Sequence, residues 1–282
     1  MKPAKFEYLR PRGVDEALKA LAAGDGDARL LAGGQSLGIL LNLRMVEPTC
    51  VIDISRLAEL KGIEMSGTAI TIGAGVTHAA IEDAYLDDAA GRILAKVAFG
   101  IAYRAVRNRG TIGGSLAHAD PAADWPPVLM ALDATVRLRG PGGRRELPVS
   151  EFILGPLTTA LEAGEMVESV RIPRLAKGAR WGRAKFEIKP GDFAQSLAAI
   201  LDDREARRAR VVLSGRALSP VRLTAAEEAL TDARARSPAD LVAVMKVAEQ
   251  DLARVNKSAR LDEYDRSLNR VMLERALKEA FA

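Results

Sequence analysis

The chain of 282 residues has little cysteine and little histidine: Cys50 is its one cysteine, and His78 and His118 are its two histidines. A disulfide within the chain is therefore excluded, as is an iron–sulfur or zinc site with four cysteine ligands. Two histidines also argue against a multi-histidine metal site. Because an apolar run follows Cys50, we interpret it as a small buried side chain.

Aromatic residues make up only 4% of the chain, and 41 basic residues nearly balance 37 acidic ones, for a net charge of +4. The small arginine clusters at 104–109 and 204–210 lack the interleaved aromatics of a nucleic-acid groove, so we expect no nucleic-acid binding. No apolar run reaches membrane-spanning length, and the first residues lack the apolar core of a signal peptide. We expect a cytoplasmic protein without a membrane span.

Two glycine-rich segments stand out against this background. The first comprises Leu30, Leu31, Ala32, Gly33, Gly34, Gln35, Ser36 and Leu37, and the second runs from Gly110 to Pro121. Each contains a Gly-Gly pair, and backbone N–H groups unshielded by a Cβ allow an anionic group to approach closely. Two such segments suit a ligand with a long phosphate-bearing body, which favours a dinucleotide.

The first segment follows a predicted strand at 28–32 and precedes a predicted helix at 37–45. This order places a helix N-terminus at the turn, where free N–H groups favour phosphate. Asp53 lies about twenty residues further on, as in the Rossmann arrangement, where an acidic residue binds a ribose. Gln35, however, stands where the Rossmann glycine spacing requires a glycine. We therefore interpret Asp53 as a turn residue at the end of a strand.

In the second segment, Thr111 and Ser115 flank Gly113-Gly114. We expect their hydroxyl groups and the backbone N–H groups between them to face an anion. His118 and Asp120 follow directly. A lone histidine in a loop is more often structural than catalytic, so His118 alone does not establish acid–base chemistry.

Two charged residues further along have two interpretations each. Asp124 precedes Trp125-Pro126-Pro127, which is typical of an N-cap with proline in the first turn of a helix, but it could equally face a ligand. Lys185 lies in a predicted strand on the face opposite Phe186, where a solvated lysine is the ordinary interpretation. Neither alternative is decided by the local pattern.

The predicted elements indicate a mixed fold. A strand–helix–strand–helix–strand unit up to residue 54 is followed by short strands, hairpins and helices. Three strands are then predicted at 181–188, 194–201 and 209–213, and helices from Thr224 onward. The chain contains no nucleophile-elbow or Walker motif, so the demanding chemistry would reside in a cofactor.

At these residues the chain resembles a known family, the medium, FAD-binding subunits of molybdenum hydroxylases, which include carbon monoxide dehydrogenase and the xanthine dehydrogenases. The resemblance spans nearly the whole chain. It rests on Ala32–Leu37, on Thr111–Pro121 together with Asp124, and on an ending that contains Glu263-Tyr264 and Arg275-Ala276-Leu277.

The resemblance implies an α+β fold. It consists of a two-part FAD-binding domain of the vanillyl-alcohol-oxidase (PCMH) type, residues 1–174, with subdomains of about 1–55 and 56–174. A carbon monoxide dehydrogenase flavoprotein-like domain, residues 175–282, follows as a three-stranded sheet with helices. FAD is the implied cofactor of this chain. The implied cofactor-binding residues are Leu30, Leu31, Ala32, Gly33, Gly34, Gln35, Ser36, Leu37, Ile101, Thr111, Gly114, Ser115, His118, Asp120, Asp124, Val167 and Lys185.

The resemblance also implies partners: a large molybdopterin subunit and a small subunit with two-iron iron–sulfur clusters, assembled as a dimer of heterotrimers. Carbon monoxide dehydrogenases tend to have histidine where Gln35 stands and asparagine where Ser115 stands. These departures favour an aldehyde or an N-heterocycle over carbon monoxide as the substrate of the complex. The chain also lacks the cysteine-bearing insertion of the benzoyl-CoA-reductase-like branch.

Two other functions are compatible with the residues. A free-standing FAD-dependent oxidoreductase of the same fold would need an acid–base residue over the flavin, for which the chain offers little beyond His118. A nucleotide-binding module without redox chemistry would carry no flavin at all.

Overall fold

A computed structural model of the chain describes residues 2–232 and 238–282. The strands are β1 (Glu7–Leu9), β2 (Ala28–Leu31), β3 (Cys50–Asp53), β4 (Ile63–Met65), β5 (Ala69–Gly73), β6 (Thr135–Gly140), β7 (Gly143–Pro148), β8 (Ile153–Gly155), β9 (Thr158–Thr159), β10 (Met166–Pro173), β11 (Arg180–Phe186), β12 (Ser196–Asp203), β13 (Arg208–Gly215) and β14 (Leu218–Arg222). The helices are α1 (Val14–Ala23), α2 (Leu37–Asn42), α3 (His78–Asp83), α4 (Ala89–Phe99), α5 (Arg104–Arg107), α6 (Ile112–His118), α7 (Trp125–Ala131), α8 (Val149–Phe152), α9 (Thr224–Asp232), α10 (Pro238–Ala259) and α11 (Glu263–Phe281). The predicted C-terminal helical region also includes residues 233–237, which lie outside the described residues.

The first sheet is parallel and has three strands. Strand β3 lies between β1 and β2, so that Leu9 and Leu30 both pair with Ile52. Helix α1 covers it with Val14, Ala17 and Leu18, which are buried at the helical spacing seen in the sequence. The first glycine turn leaves the carboxyl end of β2, the edge at which parallel sheets usually bind ligands.

The second sheet is antiparallel and has five strands in the order β4-β5-β10-β6-β7. Its apolar face and the helices α3, α4, α6 and α7 form the largest core of the protein. The Thr77 hydroxyl caps helix α3 by accepting a hydrogen bond from the Ala80 N–H at 3.1 Å. Asp88 caps helix α4 by accepting a hydrogen bond from the Ala90 N–H at 2.8 Å.

The C-terminal sheet has four strands, in the order β11-β12-β13-β14, not the predicted three. The prediction missed β14, which contains Pro220. Proline has no N–H and normally interrupts a strand, but β14 lies at the sheet edge and its register shifts opposite Leu213–Gly215. An edge strand needs only one set of ladder hydrogen bonds, so the proline is tolerated there.

Helix α7 joins the two halves of the structure. All of its residues are buried, and it contacts β12 and β13 of the C-terminal sheet. The core of the second sheet therefore continues through Trp125 to Leu197 and Val212 of the last sheet. The α+β architecture expected from the resemblance is confirmed. No helix among the described residues combines the length and apolar character needed to cross a membrane.

Candidate functional site

A cavity of about 730 Å³ lies where the first glycine turn, the second glycine segment and the loop between β11 and β12 meet. Its wall contains all of the predicted cofactor-binding residues except Leu31 and Lys185. These are Leu30, Ala32, Gly33, Gly34, Gln35, Ser36, Leu37, Ile101, Thr111, Gly114, Ser115, His118, Asp120, Asp124 and Val167. The structure thus brings together residues that are separated by more than a hundred positions in the sequence.

The first glycine turn presents free backbone donors to this cavity. Within the described chain, the N–H groups of Gly34, Gln35 and Ser36 have no protein acceptor. Gly34 has a φ of +75°, a conformation that glycine adopts readily and other residues rarely do. Consecutive free N–H groups of this kind bind anions through the backbone.

Leu31 packs against the first glycine turn. It is the last residue of β2, its carbonyl accepts a hydrogen bond from the Ile54 N–H at 3.0 Å, and its Cδ1 lies close to Gly34. Arg29 is the one lysine or arginine on the wall formed by the described residues, and its guanidinium donates to the Gly26 carbonyl at 2.7 Å. An anion at this turn would therefore be bound by backbone N–H groups more than by cationic side chains.

The second glycine segment differs from the expectation. Its backbone N–H groups are used within the protein: Gly113 donates to the Ala74 carbonyl at 3.0 Å, and Gly114 donates to the Thr111 hydroxyl at 3.0 Å. A Cβ on Gly113 would lie 2.4 Å from that of Ala74. The Gly-Gly pair is the first turn of α6 and serves close packing, so the expected set of free backbone donors is wrong for this segment.

The two segments touch each other. A Cβ on Gly33 would lie 2.0 Å from the carbonyl oxygen of Arg109 and 2.8 Å from Cα of Gly110. On the other side, a Cβ on Gly110 would lie 2.7 Å from Nε2 of His78. Gly33, Gly110 and His78 therefore stack in direct contact. We call this contact the glycine seam.

Asp124 is not the N-cap that its sequence context suggests. Its backbone has φ −74° and ψ −37°, and its side chain makes no cap hydrogen bond. The carboxylate instead pairs with the guanidinium of Arg183 and, at 3.3 Å, with the ammonium of Lys185. Burial raises the pKa of Asp124, and the charges of Arg183 and Lys185 oppose that shift.

Lys185 is not a solvated strand lysine. Its side chain is only 7% exposed and lies between Asp124 and Glu187, 2.7 Å from the latter. Because Asp124 lines the cavity and Lys185 does not, the structure places the lysine behind the aspartate. Its predicted contact with the flavin stays a prediction, and its visible contact is with Asp124.

Asp53 lies away from the cavity wall, so the Rossmann interpretation has no support in the geometry. Its carboxylate accepts hydrogen bonds from the Tyr8 hydroxyl and, at 2.9 Å, from the Ser55 N–H. Partial burial opposes ionisation, but hydrogen bonds from Ser55, Tyr8 and Arg10 outweigh it and lower the pKa of Asp53 to about 2. It is a turn residue at the end of β3, as the sequence predicts.

Sequence reasoning gave His78 no role, yet it lies on the cavity wall. Its Nδ1 accepts a hydrogen bond from the indole N–H of Trp125 at 3.0 Å. Burial, with a smaller contribution from Arg107, lowers the pKa of His78 to about 4. His118 and Asp120 also lie on the wall, and Asp120 accepts a hydrogen bond from the Ala122 N–H at 2.9 Å. A lone histidine at a helix start gives no sequence signal that separates packing from binding.

The cavity fits FAD. Its volume lies within the range of about 300–1,000 Å³ found for cofactor sites. Its wall is formed by segments far apart in the sequence, which contribute Arg29, Glu162 and Phe193 among others, and its free N–H groups suit a pyrophosphate. The fold and the cavity are those expected of a protein that binds a dinucleotide such as FAD.

Comparisons with known proteins identify the family. The FAD-binding domain of molybdopterin dehydrogenases matches residues 4–175, and the carbon monoxide dehydrogenase flavoprotein C-terminal domain matches residues 184–280. The chain belongs to the FAD-binding medium subunits of the molybdenum hydroxylase family. These proteins are oxidoreductase subunits, and FAD is the cofactor of this chain.

Individual relatives are consistent with this family. The chain is 37% identical, over 99% of its length and 96% of the relative, to the alpha subunit of the 6-hydroxypseudooxynicotine dehydrogenase complex of Paenarthrobacter nicotinovorans. It is 40% identical to the carbon monoxide dehydrogenase medium chain of Hydrogenophaga pseudoflava, over 71% of this chain and 70% of that one. A solved carbon monoxide dehydrogenase from H. pseudoflava superposes with a TM-score of 0.91 and 36% identity, covering 100% of this chain and 99% of that one.

Proposed function

We propose that this chain is the electron-transfer subunit of a heterotrimeric molybdenum hydroxylase. FAD supplies the redox chemistry. Electrons reach it from iron–sulfur clusters of a small partner subunit and leave to an external acceptor. A large partner subunit carries the molybdopterin and the substrate pocket, and the assembly is a dimer of heterotrimers.

The observation that supports this proposal best is the contrast between a built FAD cavity and the shortage of groups for other chemistry. One cysteine cannot ligate an iron–sulfur cluster. On the cavity wall, Asp124 is paired with Arg183 and Lys185, and His78 is paired with Trp125. Of the two histidines on this wall, His118 has no hydrogen-bond or ion-pair partner for its side chain in the described chain. This shortage favours another chain as the source of electrons for a flavin in this site.

We propose an aldehyde or an N-heterocycle as the substrate class of the complex. The support is the departure from the carbon monoxide dehydrogenase pattern at Gln35 and Ser115. Relatives named caffeine dehydrogenase and nicotine 6-hydroxylase, 34% and 31% identical, agree with that class. Relatives named carbon monoxide dehydrogenase, 40% and 32% identical, are at least as similar, so the substrate assay must include carbon monoxide.

Affinity capture of the tagged chain from its native host tests the assembly. We expect two further polypeptides in equal amounts, with molybdenum, iron and one FAD per tagged chain, and a mass in solution equal to two heterotrimers. A tagged chain that carries FAD, purifies alone and oxidises a small organic substrate would instead establish a free-standing oxidoreductase. A colourless chain without flavin would establish a nucleotide-binding module.

A further inference from the structure

His78 is a buried polar group that the proposed electron transfer does not use. It is the first residue of α3, it is only 6% exposed, and it lies on the wall of the cavity. Buried polar side chains normally have their hydrogen-bonding groups satisfied, so a buried histidine at a cavity wall requires an explanation.

Three contacts hold His78 in place, one through its backbone and two through its ring. The backbone N–H of His78 donates to the Gly110 carbonyl at 2.9 Å, and Nδ1 accepts from the Trp125 indole at 3.0 Å. The ring edge with Nε2 packs against Gly110 at the glycine seam, where any Cβ would lie within 2.7 Å of Nε2. A ring held in this way has a defined orientation without a ligand.

These contacts also fix which nitrogen carries the proton. An indole N–H can only donate, so Nδ1 must be the acceptor, and a neutral imidazole then has its hydrogen on Nε2. The depressed pKa of His78, about 4, means that the ring is neutral near pH 7. Trp125 is thus a positioning residue that makes His78 a neutral N–H donor at Nε2.

That donor has no protein acceptor within residues 2–232 and 238–282. Nε2 is absent from the buried side-chain atoms that lack a partner, so it is accessible from the cavity, where a ligand oxygen can accept its hydrogen bond. On the other side of the glycine seam lies the first glycine turn, whose free N–H groups at Gly34, Gln35 and Ser36 also lack acceptors. The donor of His78 and the free N–H groups of the first glycine turn thus lie on either side of Gly110 and line the same cavity.

We propose that His78 is a further FAD-binding residue whose Nε2–H donates to an oxygen of the phosphate-bearing chain of FAD. The donor complements the backbone N–H groups of the first glycine turn, and Trp125 holds it in the required tautomer. This inference rests on FAD occupying the cavity.

Two substitutions separate hydrogen bonding from packing. In H78Q an amide N–H can take the place of Nε2–H, whereas H78M has similar bulk and no donor. We expect FAD affinity of the full chain to fall about ten- to one hundred-fold in H78M, and by less than about threefold in H78Q, because hydrogen bonds to charged groups have this strength. Equal affinities in H78M and H78Q, whether both unchanged or both reduced, would overturn the proposal.

Ile81→Val is the matched control. Ile81 is fully buried on the same short helix and does not line the cavity, so this variant loses packing without losing a donor. We expect its thermal unfolding temperature without FAD to fall while FAD affinity stays within about threefold of wild type. A loss of affinity as large as that of H78M would show that the effect of H78M is structural.

A measurement on the unsubstituted chain keeps the test decisive if H78M does not fold. The chain has only two histidines, so selective ¹⁵N-histidine labelling gives spectra of two rings, which H118Q assigns. We expect the His78 Nε2–H signal to shift and its exchange with water to slow when FAD is added. Bound FAD with unchanged His78 signals would overturn the proposal, whereas a wild-type chain that binds no FAD would overturn FAD occupancy itself.

Discussion

Gly33 lies against the carbonyl of Arg109, so closely that a Cβ at Gly33 would be 2.0 Å from the carbonyl oxygen. The next residue, Gly34, is different: its Cβ would meet only Leu31 Cδ1 at 3.3 Å, but its φ is +75°. Gly33 therefore joins the two glycine segments, and Gly34 gives the turn the conformation that leaves its N–H groups free. We therefore expect substitutions of these two neighbouring glycines to have different effects.

Replacing Gly34 with valine should leave a folded chain that binds FAD weakly. A non-glycine residue at this φ costs about 1–3 kcal/mol in backbone strain. If relaxation of that strain turns the N–H groups away from the cavity, FAD affinity falls about ten- to one hundred-fold. Bound FAD per purified chain, measured by absorbance, checks the prediction.

Gly143→Val is the control for Gly34→Val. Gly143 also has a positive φ, +101°, but it lies in the β6–β7 hairpin with open space around it and off the cavity wall. Gly143→Val should lose a similar amount of stability and keep its FAD. Lys61→Ala should also keep its FAD. Full flavin occupancy in Gly34→Val would show that this turn does not hold FAD.

Gly33→Ala should destabilise the chain with or without FAD. The added methyl group meets backbone atoms of Arg109 and Gly110, which cannot rotate away as a side chain can. We expect a loss of about 1–3 kcal/mol or more in the free energy of unfolding, measured by urea denaturation of the chain without FAD. A variant as stable as wild type would contradict direct contact between the two segments.

Lys185→Met should act on stability before it acts on FAD. The substitution removes the ammonium that lies between the buried Asp124 and the partly exposed Glu187. Because Arg183 still pairs with Asp124, the loss of unfolding free energy should stay below the roughly 3–5 kcal/mol of a buried charge left without any partner. A Lys185→Met chain with wild-type stability but poor FAD binding would instead support direct contact of Lys185 with the flavin.

His78 should make the unfolding free energy depend on pH. Its pKa is about 4 when folded against 6.5 for the ordinary group, so between these values the unfolded chain binds more protons. The contribution of His78 to the free energy of unfolding is therefore largest above pH 6.5 and is lost as the pH falls towards 4. The loss is about 2 kcal/mol between pH 6.5 and pH 5. Denaturation of wild type and H78Q at pH 7 and pH 5 should show this extra loss only in wild type. Equal losses in both proteins would contradict a neutral, buried His78.

Much of the fold could be predicted from the sequence because local signals agreed with burial. The strand and the helix predicted on either side of the first glycine turn appear as β2 and α2, and the three predicted C-terminal strands appear as β11, β12 and β13. Strand β14 could not be predicted, because Pro220 is compatible with a strand only at an edge, and edge position is a property of the whole sheet.

The candidate site, like the fold, could be predicted from the sequence only in part. The cavity-facing role of the first glycine turn could be expected from its position between a strand and a helix. The packing role of Gly113 against Ala74 could not, because a glycine that makes room for a ligand and one that makes room for a neighbouring strand end look alike in sequence. Burial of Lys185 and the pairing of His78 with Trp125 depend on tertiary contacts across 61 and 47 positions.

We propose that FAD in this chain receives its electrons from a partner subunit. The direct measurement is anaerobic bleaching of the flavin absorbance on addition of an organic substrate that the native complex oxidises, compared between that complex and the isolated FAD-loaded chain. We predict that the flavin bleaches in the complex and stays oxidised in the isolated chain. Equal bleaching of the isolated chain would contradict the claim.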